Sequence, residues 1–168
     1  MLERMYQKRL KSYAAIGYQV KNETDLSAPP DVIYDGKCFY PVYLGDLQSA
    51  AHEILIVSPF MRKNRLKQLL PVLTAAIERG VNVTVVTRPP EDFTGENTVL
   101  TEENVKTLET VGIRVILKSG FHQKFTVVDD RTVWYGSVNF LSFGTNEESI
   151  MRFESRDLAG VLTDTVLP

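Results

Sequence analysis

Residues 53–57 read Glu-Ile-Leu-Ile-Val, four consecutive aliphatic side chains that stop at Ser58-Pro59. A run that short, bounded by turn chemistry, predicts a strand buried on both faces. Val81–Thr87, halted by Pro89-Pro90, predicts a second such strand, and Ile113–Leu117 a third. Between them the apolar period changes. Leu66–Arg79 has helical spacing and closes at Gly80, with Pro71 either kinking the helix or starting its second part. Thr101-Glu102-Glu103-Asn104 offers N-cap chemistry and first-turn acids for a helix that ends at Gly112. Alternation of strand and helix is the rhythm of a sheet covered by helices, so the fold class is α/β.

The flanks are read in the same way. Val32–Tyr34 and Cys38–Tyr40 look like short strands, and Val42–Ala51 like a helix. Towards the C-terminus, Phe121–Asp129, Thr132–Ser137 and Ser149–Phe153 predict strands with tight connections, followed by a helix over Arg156–Leu167. Apolar residues from Leu2 to Ile16 recur near a helical period, and Pro29-Pro30 marks the best boundary. The expected organisation is an N-terminal helix and linker over 1–30 and one domain over 31–168.

Composition narrows the class. At 168 residues, 43% hydrophobic and 24% charged, the chain can bury one full core and is neither disordered nor coiled-coil in usage. Ile54–Val57 is the longest aliphatic stretch, far short of the roughly 18 residues of a membrane span. The N-terminus lacks the apolar core of a signal peptide and Cys38 is the single cysteine, so a cytoplasmic location and no membrane partner are expected. A formal net charge of −2 is no global signature of a nucleic-acid binder, so an anionic partner must be met locally. Arg62, Lys63, Arg65 and Lys67 form one basic cluster, Lys8, Arg9 and Lys11 another, and Glu91 to Glu103 an acidic stretch.

The chemistry concentrates between Phe121 and Arg152. His122 and Lys124 are two apart on an expected strand and leave one face, whereas Asp129 has the opposite parity. Ser137 and Asn139 share a face of the neighbouring expected strand. An imidazole, an ammonium, a hydroxyl and a carboxamide together suit a tetrahedral anion: Lys124 neutralises charge, Ser137 and Asn139 donate hydrogen bonds, and His122 can attack or transfer a proton near neutral pH. Glu148 is close enough in sequence to orient the imidazole. A metal site built from Asp129, Asp130, Glu147 and Glu148 is the weaker alternative, because their parities scatter them. Phe121, Phe125, Trp134, Tyr135, Phe140 and Phe143 read mostly as core, though Phe140 and Phe143 follow Asn139 closely enough for one to stack on a base at the site mouth. His52 has no partner pattern around it.

His122-x-Lys124-x4-Asp129-x6-Gly136-Ser137-x-Asn139 is similar, residue for residue, to the HKD motif of the phospholipase D superfamily, and Asn146-x-Glu148 resembles the Asn-x-Glu that follows it. The six positions from His122 to Asn139 would coincide by chance on the order of a few times in a million chains of this size. The resemblance implies a mixed sheet with helices on both faces, and no cofactor. It implies that His122 attacks phosphorus or protonates the leaving group, that Lys124, Asn139 and Ser137 hold phosphate oxygens, that Glu148 orients His122, and that Asp129 and Gly136 are structural.

One motif supplies one histidine, whereas displacement through a covalent phosphohistidine needs a nucleophile and a proton donor on opposite sides of phosphorus. The resemblance therefore implies a homodimer with a shared site. Single-motif members resemble nucleases more than lipid hydrolases, so the expected activity is metal-independent, non-specific cleavage of DNA or RNA, with Arg62, Lys63, Arg65, Phe140 and Phe143 as substrate contacts. Hydrolysis of a phospholipid or small phosphodiester is one alternative. The other is a nucleic-acid-binding accessory module of a helicase, suggested by the Ser58–Lys63 and Thr87–Pro89 turns, with the helicase as a partner.

Overall fold

The computed structural model describes residues 32–36, 38–144 and 148–167. The expected N-terminal helix and Pro29-Pro30 boundary lie outside these residues. Seven strands form one mixed sheet: β1 (Val32–Asp35), β2 (Glu53–Val57), β3 (Asn82–Thr87), β4 (Arg114–Leu117), β5 (Phe125–Val128), β6 (Thr132–Gly136) and β7 (Ser149–Glu154). They lie in the order β1-β7-β6-β5-β2-β3-β4. β2, β3 and β4 run parallel, and the other pairings are antiparallel.

Strand parity divides the core between the two faces. Ile54, Ile56, Val83, Val85, Val128 and Trp134 face α1 (Phe39–Ser49), α2 (Lys63–Glu78) and α3 (Glu96–Thr110). Leu55, Val57, Val86, Phe125, Val127 and Val133 face α4 (Arg156–Val166), through Ala159, Leu162 and Val166. Two-sided burial of β2 follows directly from its continuous aliphatic run. Asp46 of α1 ties one layer to the sheet: it accepts from Trp134 Nε1 at 2.7 Å and from Arg152 Nε and Nη2 at 2.8 and 3.0 Å.

Several boundaries differ from those the sequence predicts. Cys38–Tyr40 is not a strand: Cys38 N donates to Asp35 Oδ1 at 2.9 Å, and Phe39 begins α1, where Phe39, Tyr43 and Leu47 fall on one buried face. Pro41 in the first turn costs that helix no hydrogen bond. α2 starts three residues before the expected Leu66 and continues through Pro71. α3 starts five residues before the expected Thr101, whose hydroxyl donates back to Asn97 O at 2.8 Å instead of capping. The strand expected over Phe121–Asp129 pairs only from Phe125, and that expected over Thr132–Ser137 ends at Gly136.

The two ends of the sheet have different jobs. At one end, Asp129 and Asp130 form the β5–β6 turn with φ of 53° and 51°, in the left-handed region that Asp tolerates. Asp129 accepts from the backbone N–H groups of Ala51, His52 and Glu53 at 2.9, 2.7 and 3.0 Å, fixing the entry to β2. Burial pushes its carboxyl up, but those three donors prevail and hold it below the ordinary range. At the other end, Gly136 sits against β7. A Cβ there would stand 2.9 Å from Ile150 Cα and closer still to the Ser149 carbonyl oxygen.

Gly136→Ala should therefore cost about 3 kcal/mol, the upper part of the overpacking range, because the atoms in the way are backbone. Gly160→Ala, with nothing within 4 Å of the new methyl, should stabilise α4 by up to ~1 kcal/mol. Urea unfolding of both variants tests this pair; equal small effects would contradict the close approach. Glu53 is held up to about 7, first by its hydrogen bond with Asp130, then by burial and the charges of Asp130 and Asp129, with His52 opposing. A carboxyl raised in the folded state binds more protons folded than unfolded between its two pKa values, so stability falls as pH rises from about 4.5 to about 7. Glu53→Gln should flatten that slope in unfolding measured across the window.

Candidate active site

The register gathers one end of each central strand. Val57 pairs with Phe125, Phe125 with Tyr135, and Gly136 with Ile150, so the residues before β5, after β6 and before β7 meet at the edge where β2 and β3 end. His122, Lys124, Ser137, Asn139 and Glu148 all belong to these segments. Asp129 belongs to the opposite edge, at the far end of β5; with His122 and Lys124 ahead of the strand, it is distance along the strand and not parity that separates them. The carboxylates of the alternative metal site are split accordingly. Asp129 and Asp130 are at one edge and Glu148 at the other, and among the described residues no three His, Cys, Asp or Glu side chains converge on a point.

His122 and Lys124 come together, though not by strand pairing. They lie in the extended segment ahead of β5, where Lys124 Nζ donates to His122 O at 2.8 Å and stands 3.4 Å from His122 Nδ1. Lys124 is 9% exposed and His122 is exposed. Burial pushes the Lys124 ammonium below the ordinary lysine range, and the Glu148 carboxylate pulls it back up. Among the described residues, no carboxylate forms an ion pair with Lys124. The His122 segment is itself clamped from outside. Asp92 accepts from Ser119 Oγ at 3.0 Å and from Arg88 Nε at 2.8 Å, and Lys118 N donates to Thr87 O at 2.9 Å. Arg88 bonding is the largest cause holding the Asp92 carboxyl low. Sequence reasoning gave Arg88, Asp92 and Ser119 no role, because their contacts join the ends of β3 and β4 across the sheet.

The β6–β7 side converges through Gly136. Gly136 N donates to Lys124 O at 3.4 Å and Ser137 N to Ser149 O at 3.1 Å, while Ser149 N donates to Ser137 Oγ at 3.1 Å. The Ser137 hydroxyl also donates to Glu148 Oε2. Glu148 thus meets Ser137 and, through its charge, Lys124; a hydrogen bond from Glu148 to His122 is not among those of the described residues. Asn146 and Glu147 lie outside them. Asn139 Oδ1 is buried with no hydrogen-bond partner among the described residues. Phe140, expected as a substrate contact, is fully buried and packs on Tyr43 at 5.1 Å between ring centroids. It belongs to the core, because the turn after Gly136 directs it under α1.

Arg62, Lys63, Arg65 and Phe143 line a cleft of about 990 Å³ that also reaches Asn139 and Glu148. Arg62 caps α2 and Lys63 and Arg65 occupy its first turn, against the helix dipole. Arg65 is held rigidly: its guanidinium lies 3.4 Å from the Phe143 ring centroid and donates to Gln68 Oε1 at 2.6 Å and Phe143 O at 3.2 Å. Lys63 pairs with Glu103 at 3.2 Å in an exposed contact. Lys67 lies exposed on α2, outside the cleft wall.

Solved structures share this architecture. The chain is similar to a phospholipase D family member, Nuc, from Salmonella typhimurium, with a TM-score of 0.65 and 24% identity over 82% of this chain and 91% of that one. It is similar to NucT from Helicobacter pylori, with a TM-score of 0.65 and 14% identity over 80% and 91% of the two chains. Phosphatidylserine synthase from Haemophilus influenzae matches with a TM-score of 0.60 and 17% identity over 96% of this chain and 43% of its own. None of the curated proteins matches in sequence. The family model described as cardiolipin synthase, PLD-like domain, matches residues 43–166, which include the whole His122–Asn139 motif and all three central strands it is built on, and the chain belongs to that PLD-like family.

Proposed function

We propose that the protein is a nuclease that cleaves DNA or RNA backbones without base specificity, through a phosphohistidine intermediate in an active site shared across a homodimer. The observation that carries this reading is Lys124, a largely buried ammonium with a carbonyl and an imidazole as its near partners. A buried cation without a paired carboxylate is costly unless an anion joins it, and a phosphodiester oxygen supplies that charge.

The imidazole must take two roles. An ammonium only donates, so a neutral His122 whose Nδ1 faces Lys124 carries its proton on Nε2. The histidine that protonates a leaving oxygen holds a proton on both ring nitrogens and becomes neutral on giving one up. To attack, Nε2 needs its lone pair and Nδ1 the proton, and a carboxylate is the acceptor that favours this tautomer. Glu148, whose charge already reaches Lys124, is the candidate for that role. In the first step Nε2 of one His122 bonds to phosphorus, the P–O bond breaks, and the His122 of a second chain gives its Nε2 proton to the departing oxygen. In the second, a water yields a proton to that now neutral imidazole and bonds to phosphorus as the P–N bond breaks. Lys124 from each chain stabilises the charge on the equatorial oxygens, work that a divalent metal does elsewhere.

The cations around α2 favour a polyanion over a lone phosphate. Three basic groups at one helix N-terminus oppose the macrodipole at a cost of roughly 0.3–1 kcal/mol each, a placement that a bound backbone phosphate reverses. Among the described residues no helix is long and apolar enough to cross a membrane.

His122→Ala should abolish cleavage while the unfolding curve stays close to that of the parent. Cleavage should persist in EDTA. In mixtures of parent and His122→Ala chains after demonstrated subunit exchange, activity should follow the square of the parent fraction; a linear fall would exclude the shared site. Glu148→Gln should lower the Lys124 pKa further, because it removes the charge that opposes desolvation. NMR titration of labelled lysine reads this directly, and an upward or absent shift would remove Glu148 from the electrostatics of the site.

A further inference from the structure

The cleft beside the catalytic residues has a chemistry of its own. Aromatic rings stand within a largely polar lining: Phe60 and Phe93 meet edge-on at 5.8 Å between centroids, and Phe143 and Leu100 of α3, which is 40% exposed, line it with them. Cations accompany the rings. Arg65 stacks on Phe143, and Arg88 lies 5.6 and 5.1 Å from the Phe60 and Phe93 centroids. The wall adds carboxamides, exposed Asn97 and buried Asn104, which is 3% exposed and whose Nδ2 has no hydrogen-bond partner among the described residues.

Aromatic rings set among polar groups and cations suit a ligand with a flat or apolar part joined to an anion. A phospholipid and a nucleotide both qualify, and the amides separate them. An acyl chain would leave the Asn104 and Asn139 amides unsatisfied, whereas a nucleobase edge offers donors and acceptors side by side and meets a carboxamide in either of its orientations. Rings and guanidinium planes also stack on any base without reading its sequence. At about 990 Å³ the cleft lies at the upper end of the roughly 300–1,000 Å³ of ligand clefts. Asn139 and Glu148 belong both to its wall and to the catalytic cluster.

From this we propose that the cleft between the first turn of α2 and α3 is a nucleobase subsite. It holds an unstacked base of the nucleotide next to the scissile phosphate, so that base stacking, and not backbone charge alone, sets how substrate is seated. The proposal rests on the nuclease reading above. It assigns Phe60, Phe93 and Phe143 to stacking and Asn97 and Asn104 to the base edge.

The test is fluorescence anisotropy on the full chain carrying His122→Ala, in EDTA. The probes are a labelled single-stranded oligonucleotide, an abasic sugar-phosphate oligomer of equal length, and vesicles of anionic phospholipid. The base-bearing strand should bind at least about tenfold more tightly than the abasic one. Asn104→Leu and Phe93→Leu should each erase most of that preference and leave the abasic affinity unchanged; Phe93→Leu serves if Asn104→Leu fails to fold. Equal affinity for the two strands, or a preference untouched by both variants, would overturn the base subsite and leave the nuclease reading standing. Vesicle binding without binding of either strand would overturn the nuclease reading itself.

Discussion

Every part of the site hangs on the close approach of Gly136 to the backbone of Ser149 and Ile150. Only a residue without a Cβ lets β6 end flush against β7, and that approach places four hydrogen bonds where the strands diverge. Gly136 N reaches back to Lys124 O, Ser137 N reaches Ser149 O, and the Ser137 hydroxyl stands between Ser149 N and Glu148. The segments carrying Lys124, Ser137, Asn139 and Glu148 are thereby fixed to one another before any substrate arrives. Binding energy then need not be spent on assembling them.

That assembly is costly in isolation, and the rest of the fold offsets it. A largely buried ammonium, an unpartnered buried amide and a basic helix N-terminus each lower stability. Against them stand a two-sided aliphatic core, a bidentate Arg152–Asp46 pair joined by Trp134, and the three backbone bonds that Asp129 accepts. The sheet separates two parts of the motif by its length: Asp129, which holds backbone N–H groups, stands at one edge, and His122, Lys124, Ser137 and Asn139 stand at the other.

The fold alone leaves substrate open, since similar sheets belong to Nuc and to a phosphatidylserine synthase. The discriminating features are peripheral to the motif. They are the stacked Arg65–Phe143 pair, the Arg88 guanidinium set against Phe60 and Phe93, and the carboxamides of α3, all contributed by helices and loops that the central strands merely position.

The strands of the sheet and the placing of the motif on the β5–β6 hairpin were legible in the sequence because both rest on local or nearly local order. Continuous aliphatic runs set β2 and β3 by burial alone, and the spacing from His122 to Asn139 spans one tight hairpin whose geometry two turn residues determine. Helix starts were less legible. Thr101 and Cys38 carry capping or strand chemistry that neighbouring backbone overrides, through the bond from Thr101 to Asn97 and that from Cys38 to Asp35. Phe140 and Phe143 are equivalent in composition, yet one is sealed under α1 and the other stacks on Arg65 in a cleft, a distinction made by packing against helices nearly a hundred residues away in sequence. The Asp92 clamp and the Asn104 wall were likewise invisible. The sequence by itself determined the family, because the spacing and side-chain types from His122 to Asn139 suffice for that. Only the tertiary structure decided what stands beside them, because the cleft is made by the ends of β3, α2 and α3 meeting the β6–β7 connection, contacts whose long range no local pattern encodes.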